Sequence, residues 1–378
     1  MLIHLHASCA ADVVSGSASS ARSRSAVENL LVAHFDGNHV VSIAPSEAQT
    51  LRDAAPWSAR ARRALEHIDE SYPQIAGLRE DLPWSIEVGL GADFDGSAQP
   101  ISGARRIVRA SLAAFERYAT TVRSSMLGEN ATDADLFVEL ALSMLAARRW
   151  DALQITFDAR GGGGRTIGVE FARLAENGQI ILAVADTDVR HPGGREGDTY
   201  LALRQSAAGR PEYQRVRPLP ARTAEGLVPL SVYRDAFTEL HGDGDVRIGS
   251  VQRLEPFFRS APRDIARYAH LKDGVRLYQI ENPRSESEGR YWEGIARDVG
   301  RDRCVLPSQS RCTRREACSC HVVDALGGGA LTDVVSWMRR RKSKRALAKR
   351  FGFEENAPLA ELADEVLAWG LAMPPLMT

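Results

Sequence analysis

Asp186 and Asp188 stand one residue apart at the end of an apolar run, Ile180, Ile181, Leu182, Ala183, Val184 and Ala185. Turn-prone residues bracket the segment: Glu176, Asn177 and Gly178 before it, His191, Pro192, Gly193 and Gly194 after it. A short continuous apolar run between turns reads as a buried parallel strand. Such strands carry their polar groups at the carboxyl end, where α/β sheets bind ligands. Two carboxylates at that edge suit a hard divalent cation, Mg2+ or Mn2+. A strand followed by a plain Asx-type turn fits the same residues, so the pair does not decide alone.

Two more loops reach that edge if the surrounding chain alternates strand and helix. Thr121–Leu127 reads as a strand ending at Gly128, Glu129 and Asn130, and Asp133 opens a long helix with apolar residues at helical spacing. Leu153–Phe157 reads as the next strand, running into the glycine run 161–164 and a helix to Leu174. A helix at Gly197–Ala207 and a strand at Tyr213–Leu219 complete an alternation that implies βαβ crossovers and a parallel sheet.

The chemistry of these loops is coherent. Clustered carboxylates raise one another's pKa unless a cation neutralises them. Asp186 and Asp188 would bind the metal with Asp133 or Glu225 helping, and two ions would stabilise the attacking and leaving oxygens of phosphodiester cleavage. Gly162 and Gly163, flanked by Arg160 and Arg165, offer N–H groups and positive charge to a phosphate near a helix N-terminus. The run lacks Gly-Lys-Ser/Thr and is no Walker A loop. The blander readings are a flexible glycine loop, helix-start acids at Glu129 and Asp133 favoured by the helix dipole, and a surface carboxylate at Glu225.

In this order the motifs resemble the TOPRIM domain shared by topoisomerases, primases, recombination and RNA-maturation factors and overcoming-lysogenization-defect nucleases. That pattern has a Glu-Gly-x-x-Asp-like loop after one strand and Asp-x-Asp after a later one. Residues Gly128 to Ala134 are similar, with Asn130 where Gly is usual, and Val184 to Asp188 match the second part. Two features resemble the branch found in bacterial and phage-defence nucleases. One is the small-residue segment Asp186 to Thr199. The other is Ala224 to Leu230, where Gly226 replaces the Asn of Glu-Asn-Leu-x-Pro. The resemblance covers roughly residues 120–235. It implies Glu129 as general acid/base, metal on Asp186 and Asp188, and a nuclease that cuts DNA in preference to RNA as an anti-phage effector. The departures at Asn130 and Gly226 leave open a non-catalytic regulatory subunit, or one silent until a partner such as an ATPase joins it.

The rest of the chain must carry and orient that edge. At 378 residues it suggests two or three domains. Hydrophobic content of 44% and charged content of 26% describe ordinary globular protein. Net charge of −1 gives no global field toward nucleic acid, so any attraction must be local. No apolar run reaches the length of a membrane span, and the N-terminus reads as a first strand rather than a signal peptide, hence a cytoplasmic chain. Residues 1–100 read as an α/β unit with strands at Leu2–His6 and Asn38–Ile43, helices from Ser25 and Ser58, and a Ser-rich loop over 15–25. Gly89–Gly103 reads as a linker and Ile107–Tyr118 as a helix. The expectation is an α/β protein: a TOPRIM-like parallel-sheet domain over 101–240 after the N-terminal unit, then a mainly helical region over 241–378.

That last region carries two further motifs. Cys304, Cys312, Cys318 and Cys320 crowd together with His321 adjacent, which in a cytosolic chain favours structural Zn2+ over disulfides, with free thiols in a basic loop as the alternative. Of the twelve residues 339–350, eight are basic. On one helix they form nearly a full cationic surface, with Arg339, Arg340, Arg341 and Lys342 placed for phosphate contacts, unless they are only a solvated face. Lys272, at a predicted helix end, is a further phosphate candidate beside its solvated alternative. Nucleic acid is therefore the expected partner, no membrane is, and a homo-oligomer is left open.

Overall fold

The computed structural model describes residues 1–54, 56–103, 105–260, 264–303 and 320–377. The chain divides into two compact units, one formed by Met1–Val184, Ala202–Arg217 and Ala360–Thr378, the other by Ala185–Leu201 and Pro218–Leu359. Among the described residues, no helix is long and apolar enough to cross a membrane.

The first unit holds a sheet of β1 (Leu2–Leu5), β2 (Val40–Ile43), β3 (Trp84–Gly89), β4 (Ala98–Pro100) and β5 (Arg106–Ser111) in the order β2-β1-β3-β5-β4. All pairs are parallel except β4 on β5. Leu2, Ile3, Val40, Val41, Ile86 and Val88 are fully buried, as β-branched and leucine-rich central strands require. Helices Ser20–Phe35 and Ala59–Ala76 flank the sheet, the second capped by the Ser58 hydroxyl, which accepts the Ala61 N–H at 3.3 Å.

Two sequence expectations are corrected here. Ile107–Tyr118 is not a helix: β5 takes residues 106–111, because Ile107 and Val108, on opposite faces of the strand, are both buried where it pairs with β3. Gly89–Gly103 is no linker, since β4 lies within it and folds back on β5. The Ser-rich stretch is ordered by Asp12: its carboxylate accepts from Ser17 and Ser19, its carbonyl from Ser15 and Ser20, and the helix begins at Ser20.

The second sheet is the α/β layer expected from the alternating pattern. It contains β6 (Ser125–Gly128), β8 (Asp158–Gly161), β9 (Ile181–Ala185) and β10 (Gln214–Pro218) in the order β10-β9-β6-β8. β6 runs parallel to both β8 and β9, with Leu127 opposite Arg160 on one side and Ala183 on the other. The strand expected over Leu153–Phe157 divides. β7 (Gln154–Ile155) leaves to pair antiparallel with β13 (Leu371–Ala372), and β8 alone joins the sheet. All five β9 residues are buried.

The second unit is mainly helical. Helices Leu230–His241, Val246–Ser260 and Ala330–Arg340 gather around Tyr233, Phe237, Val251, Leu254 and Val334, all at 0% exposure. A two-stranded antiparallel ribbon of β11 (Val275–Arg276) and β12 (His321–Val323) completes it.

A buried histidine makes the first unit acid-sensitive. His34 is fully buried; its Nδ1 accepts the Val41 N–H at 3.0 Å, so its proton sits on Nε2, 3.0 Å from His67 Nδ1. Burial first, then the charge of His67, lowers His34 to about 3, and burial lowers His39 as well. The unfolded chain, with histidine near 6.5, therefore binds more protons between that value and about 3. Stability is complete above that window and falls as pH drops through it. Thermal melts at about pH 5 and pH 7.5 should differ by about 2 kcal/mol on His34's account, and His34→Gln should flatten the slope. An unchanged slope would remove His34 as its source.

Candidate metal and phosphate site

In the first unit, β6 passes through Gly128 into Glu129 and the helix Ala131–Arg148. Asn130 caps that helix. Its side-chain oxygen accepts the Asp133 N–H at 3.1 Å, and Asp133 Oδ2 accepts the Asn130 N–H at 3.2 Å. This reciprocal capping box holds Asp133 at 4% exposure, so its carboxylate serves the helix start. Asn130, the departure from the Glu-Gly pattern, thus has a local structural reason. Glu129 is half-buried just before the cap.

The glycine run packs on this turn. The Gly162 N–H donates to the Gly128 carbonyl at 2.8 Å and the Gly164 N–H to the Glu129 carbonyl at 3.0 Å. A Cβ at Gly161 would lie 2.6 Å from the Ala131 nitrogen, and one at Gly128 2.5 Å from the Ala134 nitrogen. Glycine therefore lets the two turns meet, and two N–H groups of the run are engaged in holding them together. Gly163 and Gly164 adopt φ of 70° and 64°. Arg160 bonds Asp158 and lies 3.5 Å from Glu170; its pKa is raised, chiefly by the Asp158 hydrogen bond. Its charge is answered within its own neighbourhood, while Arg165 is exposed.

Asp186 and Asp188 belong to the second unit. The Leu219 N–H donates to the Ala185 carbonyl at 3.1 Å, and residues 219–224 then run beside the acidic loop. Asp186 Oδ1 accepts the Ala224 N–H at 3.1 Å, the Thr187 hydroxyl donates to the Ala221 carbonyl at 3.2 Å, and the Asp188 N–H donates to the Arg222 carbonyl at 3.1 Å. Asp188 has φ of 54°, in the left-handed region that aspartate tolerates at about 1 kcal/mol. The Gly197 N–H closes the loop on the Thr187 carbonyl at 2.8 Å.

A Cβ at Gly197 would lie 2.7 Å from Asp188 Cβ and 2.9 Å from its Oδ2. Gly197→Ala should therefore displace the Asp188 carboxylate, destabilise the fold by about 1–3 kcal/mol and reduce any activity about 10²-fold. Full activity in a folded Gly197→Ala protein would show that the position of Asp188 is immaterial.

Two residues that the sequence did not single out join this loop. Arg222 is 8% exposed, and burial first, then Arg190, lowers its pKa to about 10, with Asp188 and Glu288 pulling it back up. His270 is lowered by burial and by Arg222, against Asp273, Glu225 and Asp188. Asp188, Glu225, Arg222 and His270 thus share one electrostatic neighbourhood. The only sequence signal was the position of Arg222 in the loop after the last strand. Glu225 is half-buried in the 3-10 turn Ala224–Leu227, whose carbonyl at Glu225 accepts from the Tyr233 hydroxyl at 3.1 Å. A Cβ at Gly226 would lie 2.7 Å from the Ala266 carbonyl oxygen, so the Asn of the resembled pattern has no room there.

The remaining candidates are dispersed. Among the described residues, no group of three or more His, Cys, Asp and Glu side chains stands close enough to hold a metal ion. Lys272 is exposed in the turn before β11. Cys304, Cys312 and Cys318 lie outside the described residues, and Cys320, half-buried, precedes β12.

The single cationic helix expected over 339–350 is corrected. One helix ends at Arg340, and Ser343 caps a second, Lys344–Phe351, accepting the Ala346 N–H at 3.2 Å. Arg341 lies 4.4 Å over the Trp337 ring and pairs with Glu239. Lys344 donates to the Met338 carbonyl at 2.9 Å, and Arg350 pairs with Asp235. Arg339, Arg340 and Lys342 are exposed. No family model, curated protein or solved structure matches the chain.

Proposed function

We propose that this chain is a metal-dependent nuclease that hydrolyses phosphodiester bonds, DNA in preference to RNA, on a TOPRIM-like sheet. The observation that supports it best is the Asp186–Asp188 loop. A buried strand ends in two carboxylates, and the second is held in left-handed backbone by the Arg222 carbonyl and by the close fit of Gly197. Backbone of this kind persists where its surroundings over-determine it, and it gathers at functional sites.

Asp186 and Asp188 would hold the divalent ion, with Glu225 on the adjoining turn, as an all-oxygen donor set suits a hard cation. The bound ion supplies charge stabilisation to the phosphoryl oxygens. On the resemblance alone, Glu129, after β6 in the first unit, would take the role of general acid/base. Arg222 and His270 supply positive charge and a titratable group beside Asp188. An anti-phage role, an ATPase partner and structural zinc on the four cysteines complete this proposal on the resemblance and spacing alone.

A second reading, a non-catalytic or partner-dependent TOPRIM-like subunit that binds nucleic acid, is favoured by the engagement of Asp133 in its capping box and by the absence of a three-ligand cluster among the described residues. Incubating the full chain with plasmid DNA and with RNA, under Mg2+, Mn2+ or EDTA, separates the two. The nuclease reading predicts metal-dependent cutting, of plasmid first. Cutting that survives EDTA removes the metal, and no cutting under any condition favours the second reading.

A further inference from the structure

Three arginines line one cavity of about 540 Å³ within the second unit. Arg190 comes from the loop after β9, Arg276 from the end of β11, and Arg284 from the turn before the helix Glu286–Asp298. Tyr278, Gln279 and Asn282 line it too. Its two acids are both partnered, Glu288 within the cavity and Asp273 by His270. Glu288 Oε1 stands 3.6 Å from Arg190, Glu288 Oε2 accepts the Arg284 N–H at 3.1 Å, and Asp273 lies 3.3 Å from His270 Nδ1. Among the described residues, neither the Arg276 nor the Arg284 guanidinium has a carboxylate within ion-pair distance.

Arg222 adds a fourth cation nearby. It is more than nine-tenths buried, its Nε meets no partner among the described residues, and the fields of Arg190 and Arg284 both act on it. Guanidinium groups gathered around a void repel one another until an anion sits between them. Their planar forks match phosphate oxygens in paired hydrogen bonds. Tyr278 offers an aromatic face. Gln279 Oε1 accepts the Arg276 N–H at 2.9 Å and Asn282 Nδ2 donates to the Tyr278 carbonyl at 3.0 Å, which leaves the Gln279 NH2 as donor and the Asn282 oxygen as acceptor for a base edge. The volume is that of a small-molecule site.

We infer that this cavity binds the terminal phosphate of a nucleotide, carried by a free mononucleotide or by a nucleic-acid strand end, with Arg190, Arg276 and Arg284 as the clamp. The inference rests on the second unit alone; it shares Arg222 and the loop after β9 with the metal reading but requires no metal.

Calorimetry on the full chain in EDTA tests it without any divalent ion. The probes are inorganic phosphate, adenosine monophosphate, adenosine, and one short DNA oligonucleotide with and without a 5′-phosphate. A phosphorylated probe should bind saturably, inorganic phosphate should compete, and the matching unphosphorylated probe should bind about tenfold more weakly or worse. Whether the mononucleotide or the phosphorylated strand binds more tightly names the source of the phosphate. Arg284→Gln, on an exposed turn, and Arg276→Gln should each weaken binding about tenfold, while Arg22→Gln, exposed in the first unit, should not. Melting curves show which variants are folded. Equal binding with and without phosphate, no saturable binding of any phosphorylated probe, or unchanged affinity in folded Arg284→Gln overturns the proposal.

Discussion

Asp188→Asn is expected to reduce metal-dependent cleavage on the order of 10³-fold while leaving the melting temperature nearly unchanged. The substitution keeps the size of the side chain, and asparagine accepts the left-handed backbone that Asp188 adopts at φ of 54°. What it removes is the negative charge that would hold the cation. A bound metal contributes several kcal/mol to the transition state, and each 1.36 kcal/mol is tenfold in rate. Asp186→Asn should act alike, because an amide oxygen can still accept the Ala224 N–H that Asp186 accepts now. Cleavage within about threefold of the unsubstituted chain, in either folded variant, would take these carboxylates out of the chemistry.

Trp369→Ala is expected to cost about 3–5 kcal/mol of stability, read by denaturant or thermal melts. Trp369 is fully buried in the first unit, and its ring N–H donates to the Ile181 carbonyl at 3.2 Å. It meets Trp84 edge-on at 5.2 Å, and Arg215 lies 4.2 Å over that second ring. One turn earlier, the buried Glu365 receives Arg215 at 2.6 Å and Arg217 at 2.9 Å. The helix Ala357–Gly370 thereby fastens β9 and β10, the strands that lead toward the acidic loop. Glu365→Gln should also cost about 3–5 kcal/mol, because it leaves two arginines without their shared carboxylate. A loss under about 1 kcal/mol for Trp369→Ala would show that this helix does not anchor the sheet.

The parts legible in the sequence were those whose signal is local. Ile181–Ala185 announced itself because a strand buried on both faces needs an unbroken apolar run. The helix after Asn130 was legible from its apolar spacing, although the reciprocal bonds of Asn130 and Asp133 were not. Ile107 and Val108 fitted a helical pattern as well as a strand, and only their pairing with β3, about twenty residues earlier, decides for the strand. The Gly, Asp, Ser and Pro of 89–103 suit a linker and the turns around β4 equally. The basic run was plain, but Ser343 breaks it, and Arg341 and Arg350 find their acids at Glu239 and Asp235, far away in the chain. Arg222 and His270 owe their place to burial among distant segments, which composition does not register.

The metal site can be decided apart from any substrate. Mn2+ titrated into the metal-free full chain, followed by loss of the free-ion paramagnetic resonance signal, reads its occupancy directly. Saturable binding of one or two ions per chain, abolished in the Asp186→Asn, Asp188→Asn double variant, is the predicted result. No saturable binding, or binding that survives the double variant unchanged, would contradict it.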